Sequence, residues 1–196
     1  MALRLLTPDE RPALAAGQPW VWTCRTGGEG GRAGLRRQAR LLLSGLLSHY
    51  LGRSADGLGL AFDAGQPPRL AACWQGLPLS LSISYCAAQA AVALCPGTPI
   101  GIDLAPVTPM PDWRTVAGLY LGPAAEDRLA RLPGTALDLE FARSWATQEA
   151  RLKSLGLPLQ EWSIALQQRL DEGMVRIETL ALRNDELILA LARARA

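Results

Sequence analysis

Three ionisable residues carry the chemistry this sequence can offer: Asp103, which ends an apolar run, and Glu149 and Lys153, four residues apart in a helical pattern. Within Phe141 to Gly156, Trp145, Glu149 and Lys153 recur at i, i+4 intervals and fall along one helical face. On its own that spacing describes a surface ion pair worth about 0.3 kcal/mol beneath a half-buried Trp. Composition raises its interest, because the chain has 19 Arg and a single Lys, Lys153. A guanidinium keeps its proton at any workable pH and an ammonium can release it, so a proton-transfer role here calls for Lys. Asp103 closes Pro99-Ile100-Gly101-Ile102, where a charge either sits at a mouth or is paired. Two carboxylates, from a strand end and a helix face, suit Mg²⁺, which takes one or two protein carboxylates together with waters and phosphate oxygens. Taken singly, each acid reads better as an ordinary surface residue.

The elements that must position these groups follow from periodicity. Leu79 to Tyr85 alternates apolar and small polar residues and predicts a half-buried strand, Ala90 to Cys95 a buried strand, and Pro99 to Leu104 a third. Arg36 to Leu51 predicts a helix with Arg36, Arg37 and Arg40 in its first turns, a placement that opposes the helix dipole. Those arginines are either a solvated basic face or the partners of an anion. Before them, Thr26 to Gly34 is a glycine-rich loop without the G-x-x-x-x-G-K-[ST] arrangement of a phosphate cradle. After the strands, Ala105 to Pro111 reads as a proline-rich connector and divides the chain at 104/105. Helices are predicted around Trp113 to Tyr120, Ala124 to Leu132 and Asp138 to Leu155, then a hairpin of Met174 to Leu182 and Leu187 to Ala192 turning at Arg183 to Glu186. Each half runs from a helix into strands. The expectation is an α+β body of two similar, pseudo-symmetric lobes, 1–104 and 105–196, each a small mainly antiparallel sheet with helices and the site at their junction.

Several function classes drop out. A net charge of +2 disfavours a general nucleic-acid binder. The uncharged stretch Leu70 to Ile102 is long enough to cross a bilayer, but its Pro and Gly residues cut it into pieces too short for a spanning helix. Cys24, Cys73, Cys86 and Cys95 show no C-x-x-C spacing and His49 is the only histidine, so no zinc or haem ligand set and no Ser-His-Asp triad is visible. The cysteines read as small buried residues in a reducing cytoplasm, with a secreted disulfide pair as the open alternative, and Asp9, Glu10 and Arg11 interrupt any N-terminal signal-peptide run.

Gly101-Ile102-Asp103-Leu104, followed 46 residues after Asp103 by the Glu149 of W-x-x-x-E-A-x-x-K-x-x-G, resembles the signature of the 4′-phosphopantetheinyl transferases, in particular the two-lobed type that activates peptide and polyketide synthases. Tyr50-Leu51-Gly52, Gly65-Gln66-Pro67, Ser82 to Cys86, Leu157-Pro158-Leu159 and the final strand also resemble that family, in the correct order from Arg36 to Ala192. The resemblance implies transfer of phosphopantetheine from coenzyme A to a serine of an apo acyl or peptidyl carrier protein, releasing 3′,5′-ADP. It implies that Asp103 and Glu149 hold Mg²⁺, that Glu149 or Lys153 helps deprotonate the serine, and that Arg36, Arg40, Gln66, Ser84 and Tyr85 contact the coenzyme. The partner implied is a carrier protein with an acidic helix, and the enzyme is expected to be cytoplasmic and monomeric.

Departures cluster where the family holds its substrate. Ala105 stands for a frequent second acid, Gln148 for the lysine before the glutamate, Gln66 for the lysine of a G-K-P motif and Tyr85 for a histidine. Each lost charge-assisted bond weakens coenzyme binding by about 1.5 to 3 kcal/mol unless Arg36, Arg40 or Arg69 compensates. The alternative reading is a non-catalytic relative that keeps the fold and binds a carrier domain or partner subunit. An unrelated Mg²⁺-dependent nucleotide-cleaving enzyme is a third.

Overall fold

The computed structural model describes residues 3–25, 31–63, 67–70, 78–182 and 186–195. It is an α+β fold of two small, mostly antiparallel sheets and five α-helices. The first sheet has the order β1-β2-β4-β3, from β1 (Leu5–Leu6), β2 (Trp20–Arg25), β3 (Leu79–Cys86) and β4 (Gln89–Pro96). Among the described residues only the β1–β2 pair is parallel. The second has the order β5-β7-β6, from β5 (Ile100–Pro106), β6 (Met174–Leu182) and β7 (Leu187–Ala194). Helix α1 (Gly31–Leu51) belongs to the first sheet; α2 (Trp113–Val116), α3 (Pro123–Leu129), α4 (Gly134–Ser154) and α5 (Ile164–Gly173) lie between β5 and β6 in the chain.

Period-two alternation sorts the side chains into layers. Trp22, Ala90, Val92 and Leu94 face α1 and meet its buried stripe of Leu35, Ala39, Leu43, Leu46 and Leu47. Their neighbours Val21, Ala91, Ala93 and Cys95 face the second sheet and pack on Ile102, Leu104, Leu189 and Leu191. The opposite face of the second sheet presents Ala105, Ile188, Ala190 and Ala192 to Ala142, Ala146 and Ala150 of α4. The order is therefore helix, sheet, sheet, helix. Along β5, Ile100, Ile102 and Leu104 point between the sheets, and Gly101, Asp103 and Ala105 share the α4 face.

That register explains Gly101. A Cβ there would lie 2.5 Å from Ser154 N and 2.8 Å from Lys153 Cβ, with the Ala150 carbonyl closer still. The helix can descend onto β5 only because the side chain is a hydrogen. The alanines of α4 and β7 allow the same close approach along the rest of the contact.

Strand β3 does more than close the first sheet. The hydroxyls of Ser80, Ser82 and Ser84 accept hydrogen bonds from the backbone N–H groups of Ile100 (2.9 Å), Ile102 (2.9 Å) and Leu104 (3.0 Å). Edge N–H groups of β5 that would otherwise be buried without partners are thus satisfied by side chains of a strand in the other sheet. The alternating serines, expected on the open face of a half-buried strand, are the seam between two sheets.

Other differences from the sequence reading have local causes. Helix α1 begins five residues before Arg36, so Arg36 and Arg40 lie in its second and third turns, away from the dipole end. The point 104/105 falls inside β5, whose ladder is to β7, and the chain passes from one sheet to the other between Pro96 and Ile100. The third predicted strand is therefore in the second sheet. The helix around Trp113 to Tyr120 is a short α2 continued by a π turn, Ala117–Leu121, and ends at Gly122, whose φ of +86° lies against the Trp162 indole. The hairpin is present as β6 and β7, although Arg183 to Asp185 of its turn lies outside the described residues. Among the described residues no helix is long and apolar enough to cross a membrane. Cys24, Cys86 and Cys95 are free thiols, and burial pushes that of Cys95 up to about 11; Cys73 and most of the glycine-rich loop lie outside the described residues.

Gly101→Ala is expected to push α4 off β5 and cost about 3 kcal/mol of unfolding free energy, the scale of an overpacked core. Urea denaturation checks this; a loss under about 0.5 kcal/mol, the range of an inconsequential surface change, would contradict the close contact.

Candidate functional site

The helix face carrying Glu149 and Lys153 lies over the β5 face carrying Asp103. Lys153 Nζ is 2.5 Å from Asp103 Oδ1 and 3.6 Å from Glu149 Oε2. One ammonium therefore engages both carboxylates, and the only lysine of the chain stands where they converge. Asp103 is 6% exposed, and its Oδ1 also accepts a hydrogen bond from the Ser84 hydroxyl (2.8 Å). Ser84 in turn accepts the Leu104 N–H, so the serine that joins the sheets also holds the acid. Burial pushes the Glu149 carboxyl above its ordinary range; the Lys153 ammonium opposes this and the Asp103 charge adds to it.

Above this cluster opens a cleft of about 650 Å³. Its walls come from both parts of the chain: Arg36 and Arg40 of α1, Ser82, Ile83 and Tyr85 of β3, and Phe62, Asp63, Pro67 and Pro68 before β3 on one side. Glu149, Leu152 and Lys153 of α4 and the following Gly156 to Leu159 form the other. The Arg40 guanidinium stacks over the Phe62 ring at 4.8 Å. Tyr85 sits beside the same arginines; burial pushes its phenol up, and the nearby Arg40 and Arg36 charges pull it back. Arg36 and Arg40 make its α1 wall basic, and the opposite wall presents Glu149 beside Lys153.

Of the residues singled out from sequence, Arg36, Arg40, Tyr85, Glu149 and Lys153 line one cleft, and Asp103 lies at its base through Lys153. Ser84 is in a different place from the coenzyme contact expected for it. It is 4% exposed, and its hydroxyl is spent on Asp103 and Leu104. Gln66 lies outside the described residues. Arg69, named as a compensating cation, is ion-paired with Asp63. Ala105 packs among the alanines of α4, so its side-chain position faces a buried helix contact. Gln148 is buried on α4, and its Nε2 has no hydrogen-bond partner. Trp145 stays structural, stacked on Phe141 at 6.3 Å and edge-on to Tyr120 at 5.8 Å.

The walls formed by Phe62, Pro68 and Leu152 were not singled out, because isolated apolar residues carry no spacing signal. Among the described residues no three His, Cys, Asp or Glu side chains converge as a metal-ligand set. The Asp103–Glu149 pair supplies hard oxygen donors in the number Mg²⁺ takes from proteins when phosphate oxygens and waters complete its shell, and the donor set fits that ion.

Searches against protein-family profiles and against curated protein sequences find no match to this chain.

Ser84→Ala should destabilise the fold by about 1 to 3 kcal/mol, since it orphans the buried Leu104 N–H and removes a donor from Asp103. Urea unfolding of the variant measures the loss, and an unchanged midpoint would contradict the assigned bonds.

Proposed function

We propose that the chain is a Mg²⁺-dependent 4′-phosphopantetheinyl transferase acting on coenzyme A and the serine of an apo acyl or peptidyl carrier protein. The observation that carries this reading is that Glu149 and the sole lysine line one cleft whose other wall carries Arg36 and Arg40, with Asp103 buried directly behind them against Lys153. That combination suits a polyanionic substrate with a reacting phosphate at one end. The resemblance drawn on the G-I-D-L and W-x-x-x-E-A-x-x-K segments supports the same assignment, as does the meeting of those segments in space. On this reading the two sheet-and-helix units are related lobes and the cleft is their junction.

Each group has a physical task. Arg36 and Arg40 attract the nucleotide phosphates, and Phe62 holds Arg40 in place by stacking. Asp103 and Glu149 would hold Mg²⁺, which when bound neutralises pyrophosphate charge and favours displacement at phosphorus. The carrier serine oxygen attacks the phosphorus bearing the pantetheine arm; that O–P bond forms as the P–O bond to the departing 3′,5′-ADP breaks. Glu149 accepts the serine proton, a task for which its upward-shifted carboxyl is better suited than an ordinary one. Lys153 offsets negative charge on the phosphates. No nucleophile from the enzyme enters this scheme, so the single exposed histidine is no obstacle.

Incubation with coenzyme A, Mg²⁺ and apo carrier proteins should add the phosphopantetheine mass to the carrier. Asp103→Ala and Glu149→Ala should each abolish the addition while leaving a folded protein by circular dichroism. The wild-type rate should rise with pH through the ionisation of Glu149, because the base acts in its deprotonated form. Transfer that survives both substitutions overturns the site. Carrier binding without transfer or coenzyme binding would instead identify a non-catalytic relative.

A further inference from the structure

Lys153 does more than a helix-face partner of Glu149 needs to do. Its ammonium touches Asp103 across the β5–α4 contact and also reaches Glu149, so both acids that would hold Mg²⁺ are already served by one cation. Asp103 and Glu149 together carry two negative charges in a half-buried place where mutual repulsion is weakly screened. Without the ammonium that repulsion would lose the cation that offsets it. With it the cluster retains one negative charge, and that excess attracts a second cation.

The two cations compete for Asp103 Oδ1, which already accepts hydrogen bonds from both Lys153 and Ser84. Mg²⁺ binds carboxylate oxygen at about 2.1 Å, and the Lys153 ammonium, 2.5 Å from Asp103 Oδ1, meets an ion entering on the same side at contact distance. The lysine side chain has somewhere to go: it lines the cleft and is 29% exposed, and its four-carbon stem lets Nζ swing without moving the helix. An arginine, with its planar fork, is less able to leave one carboxylate for another anion.

We propose that Lys153 is the resident counter-cation of the Asp103–Glu149 pair, and that a divalent ion takes its place there by releasing the ammonium into the cleft. This rests on the metal reading above. Phosphate oxygens entering the cleft receive the released ammonium, so anion binding and metal binding assist one another, and the coupling is reciprocal. The free protein carries its own cation and holds divalent ions weakly until an anionic substrate arrives.

The single lysine makes the exchange readable. Protein labelled with ¹⁵N-lysine has one side-chain ammonium signal, which in the free protein should show the slow proton exchange of a paired ammonium. Titration with MgCl₂ alone should move that signal toward a solvated ammonium and speed its exchange, in step with site occupancy measured independently by Mn²⁺ paramagnetic resonance. Lys153→Met should bind Mn²⁺ about tenfold more tightly than wild type, the scale of a typical coupling between sites. The wild-type titration decides the matter even where that variant fails to fold. An ammonium signal that stays unchanged while the metal site fills overturns the exchange and leaves the metal reading standing. Absence of Mn²⁺ binding to either protein, with or without coenzyme A, overturns the metal reading and the exchange with it.

Discussion

The ion pair between Asp103 and Lys153 depends on how closely α4 can lie on β5, and most of the site depends on that pair. Gly101 sets the approach, because any larger side chain would meet the backbone of Ala150 and Ser154. Two residues along the same strand face, Asp103 then comes within reach of an ammonium that projects from the helix. Glu149, one turn earlier on α4, joins through the same nitrogen. A glycine, an acid and a lysine far apart in sequence thus describe one contact: close packing at one end and charge neutralisation at the other.

Beneath that contact the two sheets are joined by hydroxyl groups rather than by a backbone ladder. Ser80, Ser82 and Ser84 satisfy alternate N–H groups of β5, and the Ser84 hydroxyl donates its own hydrogen bond to Asp103. The polar floor is therefore built into the hydrogen-bond accounting of the fold, with few degrees of freedom left to the acid. The α1 wall is built differently, from exposed arginines on a helix whose buried face is aliphatic, steadied in the case of Arg40 by one aromatic ring. A rigid acid–lysine cluster facing a more adaptable basic wall is a reasonable arrangement for a long, flexible, anionic substrate.

Much of this was legible in the sequence wherever burial imposes a period. The strands from Leu79 to Leu104 and the terminal hairpin were legible from alternation and runs of apolar residues, and Glu149 and Lys153 were placed on one face by helical spacing alone. The solitary Lys among many Arg pointed to the residue that bridges the acids. What was not legible has separate physical causes. Helix α5 buries only Leu166 and Leu170, too thin a stripe to announce itself, and the first turn of α4 is exposed. The assignment of β5 to the second sheet depends on tertiary pairing with β7, which no local pattern encodes. The serines of β3 looked like a solvent face because hydroxyls serve water and an edge strand equally well.

A double-mutant cycle on Asp103→Asn and Lys153→Met, followed by urea denaturation, tests most directly whether these two side chains form the contact on which the site rests. The account predicts a coupling energy of about 2 kcal/mol between the two substitutions, within the range of residues in direct contact. Additivity of the two effects within about 0.3 kcal/mol, the behaviour of independent sites, would contradict it.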